Sequence, residues 1–489
     1  SQFDFRATVA YNRDLGKEGH HIISLFGGVE MNIVDRKTTE NYDYGYQYDY
    51  GGTPYMNYTL FKQMQEEGGT YYDNYVQFSR SLAFFAMGTY SYRGRYTLNG
   101  TIRYEGTNTL GRSRNARWLP TWNVSGAWNA HEERWWQPTF GDAWTHASLK
   151  ASYSLTADRG PASNSMVVFE SFSPFRPSTD ASETGIQLSA LANDELTYEK
   201  KHELNIGAAF GFVDNRINLE FDWYKRDNFD LLGYVQTMGV GGVTTKFAND
   251  ATMESTGVEF TLSTVNVKLP VFTWGTDLIF GWTENKITKL DSYSQVIDLV
   301  DGRGWGRLQG YPINCLFSIP FAGLTEEGLP TFHGNNNTLI GPSNYSDIYF
   351  QEYSKEQLEY LKYEGSLDPK INGSFGNTFG FFNNSLKLEM FFTYQFGGVL
   401  RLDPLCTVNG NNYSDLAASM KEMKNRWVVP GDEKVTTIPV IASTRQLSTI
   451  QNLAEGYSAY NYSDQRVAKS DFIRLQSLSL SYDLPSKYF

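Results

Sequence analysis

Residues 195–232 contain two long stretches of alternating apolar and polar side chains, joined by a short polar turn. In the second stretch every other residue from Ile217 to Trp223 is apolar, and Glu220 and Asp222 lie between them. A period of two predicts β-strands, and Asp214-Asn215 favours a tight turn, so an antiparallel hairpin is predicted. Soluble sandwiches rarely bury such carboxylates. A transmembrane β-barrel has lipid outside and water inside, and therefore accommodates one apolar and one polar face.

Composition narrows the fold class. Hydrophobic residues make up 40% of the 489 residues, and no segment approaches the roughly 20 consecutive apolar residues that a transmembrane helix needs. Aromatic residues reach 16%, as expected for aromatic girdles and for loops that contact sugars or peptides. The net charge of -12 argues against nucleic-acid binding, which requires basic patches. The two cysteines, Cys315 and Cys406, can form one disulfide bond or none, which argues against a disulfide scaffold.

The alternating pattern recurs along the whole chain and predicts about 13 strands. In residues 95–105, for example, Arg95 and Arg103 fall on the polar face, opposite the apolar row. Alternation slips near Ser477, which predicts a β-bulge. Short links alternate with long ones, as in barrels with short periplasmic turns and long extracellular loops. The predicted strands span 3–12, 21–31, 77–92, 95–105, 121–130, 146–157, 203–210, 217–224, 253–264, 271–284, 372–381, 385–396 and 472–482.

Several ordered segments resemble one known family. They are TIRYEGTNTLG and LPTWNVSGAWNAHEE within 101–133, LKASYSLTADRG at 149–160, the 195–232 hairpin, and the segments 249–290, 310–332, 425–432 (NRWVVPGD) and 471–485 (DFIRLQSLSLSYDLP). Together they resemble the C-terminal half of the barrel of SusC-like TonB-dependent transporters of Gram-negative outer membranes. Each segment is weakly specific by itself, but the ordered set is strongly specific. The resemblance covers most of the chain from about residue 77 onward.

The resemblance implies a portion of a 22-stranded antiparallel transmembrane barrel in the outer membrane. It implies active import of large polar nutrients, oligosaccharides or oligopeptides, beneath a SusD-like surface lipoprotein. It implies energy from the TonB complex, acting through an N-terminal part with a plug that is missing from this chain. A dimer of transporter-lipoprotein pairs is a further expectation. Residues 1–489 are therefore predicted to be a single β-barrel portion without a plug domain.

An open 13-stranded sheet would leave unpaired edge groups in lipid, each costing several kcal/mol. We therefore expect the chain to be a portion of a longer transporter, or one piece of a barrel that other chains complete.

Aromatic side chains beside hydrogen-bond donors are the best candidates for substrate contacts. The first long link contains alternating tyrosines, of which Tyr44 and Tyr46 are the chosen candidates. The link after residue 284 contains Trp305 flanked by Arg303 and Arg307. Flat aromatic faces stack on sugar rings or grip peptide side chains, and guanidinium groups bind carboxylates. Packing of these side chains against other loops or against the lipoprotein remains the alternative for each of them.

Other motifs point to chemistry only weakly. His20-His21 and His131-Glu132-Glu133 lack the spacing of zinc ligands. The glycines of DGRGWGR (301–307) do not join a strand to a helix as phosphate-binding loops do. Asp43 and Asp49 lack the further oxygen ligands of a calcium loop. We therefore predict no catalytic residues, no metal and no cofactor, and no enzymatic activity.

Two other classes of function stay open from the residues alone. A passive porin or a surface adhesin could use the same strands, and an upstream plug with a TonB box would favour the importer instead. A secreted glycan-binding or glycan-cleaving β-protein would need the apolar rows to be buried in a soluble core.

Overall fold

Antiparallel strands dominate this computed structural model, which describes residues 1–16, 20–42, 46–54, 57–67, 69, 72–160, 165–172, 185–239, 242–351, 359–405, 408–409, 412–413 and 420–484. Within these residues, 13 strands form one sheet whose strand order follows the chain. The predicted all-β class is confirmed. The strands are β1 (Gln2–Leu15), β2 (His21–Asn41), β3 (Tyr72–Tyr92), β4 (Tyr96–Thr107), β5 (Trp118–Asn129), β6 (Trp144–Asp158), β7 (Glu199–Phe212), β8 (Ile217–Gln236), β9 (Thr245–Lys268), β10 (Phe272–Leu290), β11 (Ile371–Phe381), β12 (Leu386–Phe396) and β13 (Phe472–Tyr482).

The chain divides into two compact units. Unit 1 contains Ser1–Gly126, Ser152–His202 and Phe229–Asp250. Unit 2 contains Ala127–Ala151, Glu203–Asn228 and Ala251–Phe489. The single-domain organisation over residues 1–489 stays a prediction.

In unit 1, continuous antiparallel ladders join β1 to β4. The ladder between β2 and β3 runs from His21 opposite Tyr92 to Asn41 opposite Tyr72. The turn between β3 and β4 contains Arg93 at φ 54° and Gly94 at φ 71°, the left-handed conformation that tight hairpin turns require. The register of these strands is therefore set by a closed turn at one end and by the ladder itself.

In unit 2, apolar side chains form continuous rows across neighbouring strands. Residues directly opposite one another in a ladder point to the same face of the sheet. One row crosses five strands through Leu262, Leu278, Phe375, Phe392 and Leu475. The predicted turn at Asp214-Asn215 is present, with φ of 55° and 59°.

The strands extend beyond the predicted ends, so the first long link is shorter than expected. β2 continues from Met31 to Asn41, and its partner β3 begins at Tyr72 rather than at residue 77. The prediction was wrong there because residues 32–41 and 72–76 do not alternate apolar and polar side chains, and the pattern that identifies a strand is lost. Main-chain pairing does not depend on that alternation, and the ladder continues.

The predicted bulge near Ser477 is confirmed. Phe391 lies opposite Ser477 and Phe392 lies opposite Leu475, so Gln476 has no partner in the β12–β13 ladder. An extra residue in one strand reverses the parity of every side chain beyond it. This explains why the alternation in β13 slips at that point.

Smaller elements occupy the links. The helices are Tyr58–Glu66, Arg114–Arg117, Trp136–Phe140, Val296–Val300, Thr444–Thr449 and Leu453–Asn461. The short strands are Tyr46–Gln47, Thr53–Pro54, Val168–Phe172, Gly185–Ala190, Cys315–Ser318, Phe321–Leu324, Pro330–His333, Leu339–Ile340, Lys362–Ser366, Val399–Arg401, Val408–Asn409, Asn412–Tyr413 and Val467–Lys469. In the described part of the chain, no helix has both the length and the apolar character to cross a membrane.

The apolar rows of the strands are exposed. In strands with a neighbour on each side, Phe84 in β3 is 50% exposed, and Leu98 and Ile102 in β4 are 56% and 53% exposed. The buried core of a two-sheet sandwich would instead cover such rows. An exposed belt of large apolar side chains on membrane-length strands is the pattern that lipid contact requires.

Candidate functional site

The two longest links, 291–370 and 397–471, pack around one hydrophobic core in unit 2, which we call the loop core. Tyr345 and Tyr457 are completely enclosed, and their hydroxyls donate to the main-chain oxygens of Pro330 and Val440, both at 2.7 Å. The buried members are Val296, Leu299, Val300, Cys315, Phe317, Ile319, Leu329, Phe332, Ile340, Tyr345, Ile348, Leu361, Leu405, Met423, Ala442, Leu453, Tyr457, Ala459 and Tyr460. Sequence reasoning treated these links as open loops and missed this core.

Arg401 is partly buried and joins the two links by hydrogen bonds. It belongs to the short strand Val399–Arg401, which pairs with Val467–Lys469. Burial lowers the pKa of its guanidinium from 12.5 to about 10, so the group stays charged at neutral pH. Its donors reach the main-chain oxygens of Val300 (2.9 Å), Ser463 (2.5 Å) and Phe317 (2.7 Å) and the hydroxyl of Ser318 (3.0 Å).

The DGRGWGR segment (301–307) lies against Arg401. Gly302 and Gly304 have φ of 77° and 76°, a conformation that side chains with a Cβ rarely adopt. A Cβ on Gly302 would lie 2.6 Å from Cβ of Arg401. The main chain of the turn is therefore held close to the loop core, and glycine is required at these positions.

The same turn presents two of the predicted binding residues to solvent. Trp305 is 66% exposed, and the guanidinium carbon of Arg303 lies 5.7 Å from the centroid of its ring. Arg303 also pairs with Asp301, with 3.6 Å between Nε and Oδ2. The main-chain nitrogen of Arg307 donates to Ser294 Oγ at 2.7 Å. A solvent-facing indole beside a guanidinium can stack on a flat or apolar group and bind an anionic group.

The tyrosine candidates lie in unit 1. Tyr46 belongs to the short strand Tyr46–Gln47, opposite Pro54 in the ladder. Tyr44 lies outside the described residues. In the same link, Tyr42 and Tyr48 are exposed. A role of Tyr44, Tyr46, Arg303, Trp305 and Arg307 in substrate binding stays a prediction.

A second feature of unit 1 is a cavity of about 460 Å³ on the polar face of the sheet. Its charged wall is a chain of ion pairs, in which Glu30 contacts Arg6 (3.2 Å) and Arg103 (2.6 Å), and Arg103 contacts Glu105 (2.7 Å). This agrees with the predicted polar-face position of Arg103. Sequence reasoning missed the cavity, although the run Phe84-Phe85-Ala86-Met87 interrupts the alternation of β3.

The remaining candidate groups are possible metal ligands and the two cysteines. In the described residues, no group of three or more His, Cys, Asp or Glu side chains is arranged to hold a metal ion. Cys315 is a free, buried thiol, and burial raises its pKa to about 11. Cys406, with which it could form a disulfide bond, lies outside the described residues.

Comparison with known proteins supports the fold and the family. Residues 1–314 match the family described as TonB dependent receptor-like, beta-barrel. TonB-dependent receptor P3 of Formosa agariphila is 24% identical over 98% of this chain and 45% of its own length. TonB-dependent receptor SusC of Bacteroides thetaiotaomicron is 25% identical over 60% of this chain and 31% of its own length.

A solved structure, described as the RagAB peptide transporter, shares the fold. It superposes with a TM-score of 0.72 at 19% identity, covering 100% of this chain and 49% of the matched chain. The chain thus spans less than half the length of the relatives it matches. Its exposed apolar rows, its sequential antiparallel sheet and the match over residues 1–314 together show that it belongs to the TonB-dependent receptor-like β-barrel family of the outer membrane.

Proposed function

We propose that the protein containing this chain imports large polar nutrients, oligosaccharides or oligopeptides, across the outer membrane with energy from TonB. The observation that supports the proposal most is that the same chain has strands with exposed apolar side chains and two long links that fold around a core. Strands of this kind serve a passive porin as well as a gated importer. A folded loop core whose two links are joined by the hydrogen bonds of Arg401, however, costs conformational entropy that an open pore does not require.

The exposed Arg303–Trp305 pair is the proposed first contact with the solute. Its main chain is held by positive-φ glycines and by the loop core, so little side-chain and loop entropy is lost on binding. Arg307 in the same turn and Tyr44 and Tyr46 in the first long link are further proposed contacts. A SusD-like lipoprotein is the proposed partner that covers the bound solute, and a pair of such transporter-lipoprotein units is the proposed assembly.

Uptake by whole cells tests the proposal. The full-length gene is deleted and restored as wild type, Trp305→Ala or Tyr349→Ala, the last being an exposed aromatic of the same link. Labelled oligosaccharide and oligopeptide mixtures are then supplied with and without TonB. We expect uptake to require TonB and to fall at least tenfold for Trp305→Ala alone. Uptake that persists without TonB would support a passive porin instead.

Purification of the tagged full-length protein in mild detergent tests the partner. A co-purifying lipoprotein in equal amount is expected. Its absence under conditions that preserve uptake would remove the lipoprotein from the proposal.

A further inference from the structure

The cavity in unit 1 places large apolar side chains beside charged ones on the polar face of the sheet, where a water-facing strand does not need apolar groups. Phe26, Phe85 and Met87 line it, although they lie on the face that carries Arg6, Glu30 and Arg103. Met87 is 43% exposed. Covering large apolar side chains on a water-facing wall with a ligand lowers the free energy.

Small residues under the cavity create the space for these groups. A Cβ on Gly28 would lie 2.9 Å from Cζ of Phe85, so the phenyl ring can lie over the main chain only because residue 28 is glycine. Ala83 lies opposite both Glu30 and Glu105 in the ladders and is 2% exposed. The short side chain of Ala83 leaves room for Arg103 to reach both carboxylates across it.

Arg6 provides the polar recognition group. Its guanidinium carbon lies 5.4 Å from the centroid of the Phe85 ring, and its Nε contacts Glu30 Oε1 at 3.2 Å. The ion pair engages Nε, and the side chain is 59% exposed, so its two terminal amino groups are accessible to another acceptor. Arg103 is already held by two carboxylates. Arg6 is therefore the cation of this network that is open to a ligand.

We propose that this cavity binds a carboxylate that adjoins an apolar or ring face, with the carboxylate on Arg6 and the apolar face on Phe85, Phe26 and Met87. Planar guanidinium groups bind carboxylates through paired hydrogen bonds. A peptide C-terminus and a uronic acid both carry this chemistry. The inference rests on the proposed function only in taking the polar face to be water-filled.

Binding to the purified full-length protein tests the site. The probes are hippurate for the peptide source, digalacturonate for the sugar source, and the uncharged amide N-benzoylglycinamide. The variants are Arg6→Gln and Phe85→Leu, and the control is Arg13→Gln, an exposed arginine of the same strand whose Nη1 contacts the Tyr11 hydroxyl.

The wild type and Arg13→Gln are expected to bind at least one carboxylate probe. Arg6→Gln should weaken that binding about tenfold or more, because it removes a charge-assisted hydrogen bond. Phe85→Leu should weaken it less, and the amide should bind as weakly to the wild type as hippurate binds to Arg6→Gln. The probe that binds identifies the source of the carboxylate.

Equal binding by Arg6→Gln and Arg13→Gln would overturn the proposal. So would the absence of carboxylate binding by the wild type, which is the result expected if another part of the full-length protein fills the cavity. Carboxylate binding without TonB-dependent import would instead contradict the proposed function and leave this site standing.

Discussion

The Nε atom of Arg401 donates a hydrogen bond to the main-chain oxygen of Val300 at 2.9 Å, and the two residues are 101 positions apart in the chain. The same guanidinium reaches Phe317 and Ser463. Because this one partly buried side chain satisfies acceptors in both links, the loop core depends on it. The exposed Arg303–Trp305 pair follows Val300 by only a few residues.

Replacement of Arg401 by alanine is expected to loosen the loop core. The change leaves buried carbonyl oxygens without donors, at a cost of about 3 to 5 kcal/mol in loop-core stability. Arg401→Lys should cost less because the charge remains, although the planar fork is lost. The free thiol of Cys315 reports the effect, since this residue is 2% exposed. In a Cys406→Ser background, maleimide should label Arg401→Ala much faster than the wild type.

Arg445→Ala is the matched control because Arg445 is an exposed arginine in the Thr444–Thr449 helix. Its labelling rate should equal that of the wild type. Slow labelling of Arg401→Ala would show that the loop core persists without the Arg401 guanidinium.

Gly456→Ala should destabilise the loop core, against the usual trend. Alanine inside a helix normally gains about 1 kcal/mol over glycine. Here a Cβ would lie 2.6 Å from the Tyr345 ring, and the hydroxyl of that tyrosine is bonded to Pro330 at 2.7 Å. Overpacking costs about 1 to 3 kcal/mol. Hydrogen exchange over residues 453–461 measures the change, with Ser458→Ala in the same helix as the control. Slower exchange in Gly456→Ala would contradict the steric argument.

Acid should release the turn that follows Trp427. Hydrogen bonds from the main-chain nitrogens of Val429 and Val428 lower the pKa of the Asp432 carboxyl below its usual 3.8. A carboxyl with a lowered native pKa stabilises the turn above pH 3.8, and this contribution is lost as the pH falls through the native value. Amide exchange at Val428 and Val429 should therefore accelerate only below about pH 4, after correction for intrinsic rates. Asp432→Ala should remove this pH dependence.

Charge on the apolar face of β4 should impair membrane assembly. Ile102 is 53% exposed and lies opposite Ala86, whereas its neighbour Thr101 lies on the other face, opposite Met87. Arginine on the lipid face costs about 2 to 4 kcal/mol near the bilayer midplane. Urea unfolding of the full-length protein in bilayers should therefore show a loss for Ile102→Arg and a much smaller effect for Thr101→Arg. Equal losses would contradict the assignment of the two faces.

The local sequence pattern predicted the strands well where one face must be apolar for contact with lipid and the other polar. The Asp214-Asn215 turn and the bulge beside Ser477 were both predicted, because turn residues and a broken parity are local properties. The outer ends of β2 and β3 were not predicted, since apolar and polar side chains do not alternate there. The exposed Arg303–Trp305 pair was predicted from residue types, and its 5.7 Å geometry comes from the structure.

The class of fold and the two faces of each strand follow from the order of residues alone, because alternation is a relation between neighbours in the chain. Only the tertiary structure revealed the loop core and the cavity beside Arg6. Arg401 meets Val300 across 101 residues and Glu30 meets Arg103 across 73, and such pairings depend on strand register and loop packing. Long-range contacts are selected by the free energy of the whole packed unit. The periodicity of a short segment carries no information about them.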